Sequence, residues 1–201
     1  MISIQQVQAL HQSKTKDWHE ELSREKESLP WKFIEENHFW NFSLWHEEDI
    51  ARIKDIDPVR IMAAKQNIDK YNQLRNNAME KIDEWILNYT SNQQTKLLGD
   101  SKLHSETPGM MIDRLSIMAL KSYHMEEEVY REGADDDHKA KCQQKLAILE
   151  EQIKDLSDCL DEVLLKISIG KLKFKVYRQL KMYNDPSLNP QLYNKKNAKT
   201  Y

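Results

Sequence analysis

Between Lys139 and Ile169 the apolar residues Cys142, Leu146, Leu149, Ile153, Leu156, Leu160, Val163 and Ile167 recur in alternating steps of four and three. A helix turns once in 3.6 residues, so this spacing draws one unbroken apolar stripe along roughly eight turns. A stripe that long has to be covered by other long helices. The remainder of the chain agrees: four Gly and five Pro in 201 residues leave few places to break it. The expected fold is all-α, a single-domain bundle of about six helices with long antiparallel helices over residues 1–186, and residues 187–201 are expected to be a C-terminal tail, partly disordered. A chain this long can bury one sizeable core.

Composition narrows function mainly by exclusion. A net charge of −3 gives no general attraction to nucleic acid. Cys142 and Cys159 stand seventeen residues apart on one predicted helix, about 25 Å of rise, too far for a disulfide. No apolar run approaches the roughly 20 residues of a membrane span, and the N-terminus lacks the basic-then-apolar order of a signal peptide. The expected location is the cytoplasm. There is no glycine-flanked serine elbow and no glycine-rich phosphate loop. Ala134-Asp135-Asp136-Asp137-His138 starts a helix, lacking the glycine and terminal glutamate of a calcium loop.

In chain order, residues from about Ser3 to Glu27 read as a first amphipathic helix built on Ile4, Val7, Leu10, Trp18 and Leu22, with His11 and His19 expected as structural histidines at the core edge. Leu29-Pro30 ends it. A second helix runs from about Glu35 to Ile53. Asp57 caps a third with Pro58 in its first turn, and Ile61, Ile68, Tyr71, Ala78, Ile82, Trp85 and Tyr89 carry it to about residue 89. Residues 90–104 form a polar connector, either a mobile surface segment or a lid. Thr107 caps the next helix, with Pro108 at its start and Met111, Ile112, Leu115, Met118 and Leu120 facing a core. Gly133 and Gly170 are stops.

Chemistry concentrates in the second helix. His38-Phe39-Trp40-Asn41-Phe42-Ser43-Leu44-Trp45-His46-Glu47-Glu48-Asp49-Ile50-Ala51-Arg52 packs two Trp, two Phe, two His and three consecutive acids into fifteen residues. Helical spacing aligns Asn41, Trp45, Glu48 and Arg52 on one side and Phe39, Phe42, His46 and Asp49 on the next. Asp113 interrupts an otherwise apolar run on the fourth helix, and a buried carboxylate needs a partner. His124 lies eleven residues beyond Asp113, about 16 Å along the axis, so those two cannot share one metal. Lys171 to Tyr183 is locally basic, and Lys195, Lys196 and Lys199 continue that trend.

Three blocks resemble a bacterial family catalogued as domain of unknown function number 4254: Phe39 through Arg52; Ser105-Glu106-Thr107-Pro108-Gly109 with Ile112 through Ile117; and Tyr177-Arg178-Gln179 with Lys181 through Pro186. The resemblance implies an accessory role among glycosyltransferases of cell-surface polysaccharide and lipopolysaccharide, with no assigned reaction. Joined to the residues, it yields three expectations. In the first, the protein binds an anionic ligand such as a phosphorylated sugar or nucleotide, with Arg52, Arg114, Arg178 and Lys181 as anion donors, Trp40 and Trp45 as flat surfaces, and Asn41 and Tyr177 beside them. In the second, it is a metal-dependent helical hydrolase of a phosphorylated substrate: His46, Glu48, Asp49, Glu106 and Asp113 hold a divalent metal, and Arg114 or Arg178 stabilises phosphate. In the third, the cluster is a buried ion-pair network in a protein-interaction module. A glycosyltransferase partner and a small anionic ligand are expected; the oligomeric state stays open.

Overall fold

The computed structural model describes residues 2–23, 27–180 and 185–190. Five helices carry the fold among them: α1 (Ile4–Glu20), α2 (Trp31–Ala51), α3 (Pro58–Asn92), α4 (Pro108–Tyr130) and α5 (Asp136–Ser168). The all-α expectation holds, but the described residues contain five helices rather than six. The basic segment after α5 forms no helix over residues 171–180. Lys171-Leu172-Lys173-Phe174-Lys175-Val176 alternates charged and apolar residues, a period of two, and the structure follows that period with Phe174 buried and the lysines exposed. Strand β2 (Leu172–Lys173) pairs in parallel with β1 (Lys102–Leu103).

Local chemistry explains most helix starts. The side chains of Ser3, Asp57, Thr107 and Asp135 each accept a backbone N–H from the first turn they precede, satisfying donors that have no partner within a helix. α2 instead begins directly after Pro30, four residues before the sequence suggests, and α1 stops at Glu20, several residues early.

The core joins all five helices: Val7 of α1, Ile34 of α2, Ile82 and Ile86 of α3, Ile112 and Leu115 of α4, and Leu160 and Leu164 of α5. The α5 stripe supplies much of it, and Phe174 closes one end. A second, smaller cluster sets Trp18, Phe42 and Leu120 together with Phe39 and Trp45. On α3 the apolar rhythm starts outside the core, for Ile61 is 40% exposed. The connector ahead of α4 is tied down: Leu98 N–H donates to the Gly170 carbonyl at 3.0 Å, Lys102 N–H to Lys171 at 3.2 Å and His104 N–H to Lys173 at 2.9 Å.

α3 and α4 approach closely at Gly109. A Cβ there would lie 2.6 Å from the Met79 carbonyl oxygen, so only glycine fits. The Gly109 N–H donates to the buried Asp83 carboxylate at 2.7 Å, and burial pushes the Asp83 pKa up to about 6. That approach brings Asp113 within reach of α2 and α3.

Candidate functional site

Asp113 is the centre of a buried polar assembly. Its side chain accepts from Asn37 Nδ2 at 2.8 Å and Asn41 Nδ2 at 3.0 Å, and Arg75 of α3 grips it with two donors, Nε at 2.7 Å and Nη2 at 2.5 Å. Asn37 and Asn41 are one turn apart on α2, so both amides face the same carboxylate. A two-pronged guanidinium–carboxylate pair is the strongest such contact available to protein side chains, and here the carboxylate is 3% exposed.

Hydrogen bonds continue from this pair toward α1. Asn41 Nδ2 also donates to Ser116 Oγ at 2.9 Å; Ser116 lies 2.8 Å from His38 Nδ1, and His38 Nε2 lies 2.9 Å from Thr15 Oγ1. Thr15 donates its proton to the His11 carbonyl at 2.7 Å. With that proton spent, His38 must donate from Nε2 to Thr15, and Ser116 donates to Nδ1. The chain therefore runs in one direction and assigns a single tautomer to His38. Burial holds both His38 and His11 neutral, lowering His38 well below the usual histidine range and His11 to about 3.

At the outer edge of this assembly a cavity of about 330 Å³ opens between α2, α3 and α4. Asn41, Trp45, Glu48, Asp49 and Arg52 line it with Asn72 and Arg75, over an apolar base that includes Leu44 and Leu120. Arg75 spends the N–H of Nε and one N–H of Nη2 on Asp113, so three of its five donors remain for another partner. Arg52 and Glu48 form an exposed ion pair at 2.8 Å.

Of the residues singled out in the sequence, Asn41, Trp45 and Arg52 from the ligand set and Glu48 and Asp49 from the metal set thus meet around one cavity. The other described ones do not line it. Trp40 stacks on Tyr71 of α3 with ring centroids 5.3 Å apart. Arg114 pairs with Glu106 at 2.6 Å. Arg178 pairs with Glu80 at 2.7 Å and with Glu84, and the neighbouring Tyr177 is 40% exposed. Lys181 lies outside the described residues. His46 is set among other histidines, between α1 and α4. Asp113, Glu106 and Glu48 each face a guanidinium, so the five expected metal ligands form no shared centre.

Sequence reasoning did not single out Arg75, Asn72, Asn37, Ser116 or Thr15. A signal was present for two of them: Asn37 repeats Asn41 at a spacing of four, and Arg75 sits in the polar run Asn72-Gln73-Leu74-Arg75-Asn76-Asn77 within an otherwise amphipathic helix.

Fold and site together define an all-helical protein in which a buried carboxylate, gripped by a part-exposed guanidinium, underlies a small cavity. The chain belongs to the family described as Protein of unknown function (DUF4254), whose model matches residues 31–176, a stretch from the start of α2 to just past β2. No curated protein and no solved structure matches the chain.

Proposed function

We propose that this is a binding protein whose ligand, a small phosphorylated sugar or nucleotide, sits in the cavity between α2, α3 and α4, in an accessory role beside surface-glycan glycosyltransferases in the cytoplasm. The observation that supports it is Arg75. Its planar head is held in place by Asp113 while it lines the cavity with donors to spare, and a preorganised guanidinium matches phosphate oxygens. Trp45 adds an apolar face suited to a sugar or base, and Asn41 adds a fixed amide. The rim already carries the Arg52–Glu48 pair, and an incoming phosphate can replace Glu48 at little cost because an exposed ion pair is worth about 0–1 kcal/mol. The cavity size falls at the low end for small-molecule sites, which run from roughly 300 to 1,000 Å³.

Thermal-shift and calorimetric titrations with glucose 1-phosphate, UDP-glucose and orthophosphate test this reading. A stabilising shift is expected with the sugar phosphates. It should weaken about tenfold in Arg52→Ala, a rim variant that leaves the Asp113 assembly intact, and in Trp45→Ala. No shift with any of the three, or a shift indifferent to both substitutions, would rule the cavity out.

A further inference from the structure

His19 of α1, His46 of α2 and His124 of α4 come together on the side of α2 that carries Phe42. One ring nitrogen from each lies within 4.8 Å of the others. The hydrogen bonds reveal which nitrogens are available. His19 Nδ1 lies 2.6 Å from the Thr15 carbonyl oxygen, which can only accept, so Nδ1 carries the proton and Nε2 the lone pair. His124 Nδ1 lies 2.8 Å from Glu127 Oε2, and the same logic leaves its Nε2 as a lone pair. Both Nε2 atoms are buried and have no hydrogen-bond partner among the described residues. Leaving a buried acceptor unpaired is costly, and this cluster does so twice.

We propose that His19, His46 and His124 form a binding site for a divalent transition-metal ion of the zinc class. Histidine ligands to metals characteristically donate their second ring N–H to a backbone carbonyl or a carboxylate, which sets the tautomer and aims the lone pair. His19 and His124 already show one of each. Neighbouring rings hold the ligands in place: Tyr123 stacks on His19 at 4.4 Å, Trp45 on His124 at 4.7 Å, and Phe42 meets His46 edge-on at 4.5 Å.

Three imidazoles without a carboxylate suit Zn²⁺, Co²⁺ or Ni²⁺ over Mg²⁺ or Ca²⁺. Nitrogens at 2.0–2.1 Å from a tetrahedral ion stand about 3.4 Å apart, so the rings close by roughly 1 Å on binding. Three protein ligands leave a fourth position for water or another small molecule, the arrangement of catalytic rather than structural zinc sites. The ion would also tie α1 to α2 and α4. This site is independent of the ligand reading above.

The test is titration of the metal-free, untagged protein with Zn²⁺ by calorimetry and with Co²⁺ by visible absorption. One equivalent of each is expected, with the intense Co²⁺ bands of a tetrahedral site. His46→Ala, at a half-buried position, should weaken Zn²⁺ binding at least 100-fold while circular dichroism stays native. Glu127→Ala, at an exposed position, should weaken it about 10–100-fold through loss of the acceptor that orients His124. No uptake by the native fold would overturn the proposal, as would one equivalent bound equally well in both variants.

Discussion

At the scale of single residues, Asp113 shows how a polar group becomes affordable inside an apolar helix face. Four hydrogen bonds from three side chains take up its lone pairs, and Arg75 neutralises its charge. Breaking a buried pair by removing one partner is costly because the other is left uncompensated. Asp113→Asn is therefore expected to lower stability by about 3–5 kcal/mol in urea denaturation. A loss under about 1 kcal/mol would mean that Arg75 finds another partner and that the pair does not lock α3 to α4. The sequence indicated that Asp113 needed a cation but could not indicate which. Arg114 stands next to it in the chain, yet adjacent residues on a helix point about 100° apart, and Arg114 turns outward to Glu106. Arg75, thirty-eight positions earlier, was reachable only through the packing of α3 on α4.

At the scale of elements, the same contrast separates what is local from what is not. Caps at Ser3, Asp57, Thr107 and Asp135 and the α5 stripe depend on neighbours within a turn or two, and the structure realises the three of these features that sequence reasoning named, at Asp57, Thr107 and α5. The β1–β2 pair depends on residues about seventy apart, so the connector ahead of α4 could not be distinguished from a lid. Gly170 makes that pairing feasible. Its φ is +73°, and a Cβ would lie 2.1 Å from the Lys96 carbonyl oxygen, so a side chain adds a left-handed backbone cost of about 1–2 kcal/mol to a direct clash. Gly170→Ala should destabilise by roughly 2 kcal/mol or more. It should also speed hydrogen exchange at the Lys102 and His104 amides by more than at core amides of α5. Uniform acceleration instead would show that the pair opens only when the whole fold does.

At the scale of the whole molecule, buried titratable groups set how stability follows pH. His11 has a folded pKa near 3 against 6.5 when exposed, so the unfolded chain binds its proton first. The stability it supports is complete above pH 6.5 and is lost progressively down to pH 3, about 5 kcal/mol in all, with His38 acting in the same direction. Asp83 works the other way. Its folded pKa is raised from 3.8 to about 6, so folding carries a penalty of about 3 kcal/mol above pH 6 that is relieved as pH falls toward 4. Urea midpoints should therefore decline below pH 6.5, and more steeply in Asp83→Asn between pH 6 and 4, because the compensating relief is gone. Parallel declines in the two proteins would mean that Asp83 titrates normally.

What the sequence determined by itself is the class of fold and the places where chemistry is concentrated. Both follow from periodicity: the 3.6-residue turn converts spacing directly into a shared face, and the α2 stretch from His38 to Arg52 contributes to the buried assembly, the cavity and the histidine cluster alike. Only the tertiary structure decided the partners. His19 read as a core-edge histidine, and His124 as too far along its helix from Asp113 to share one metal with it. Yet α1, α2 and α4 bring His19, His46 and His124 together from positions up to 105 residues apart in the chain. No helical spacing encodes such a meeting, because it arises from how the helix axes cross once their apolar stripes are buried together.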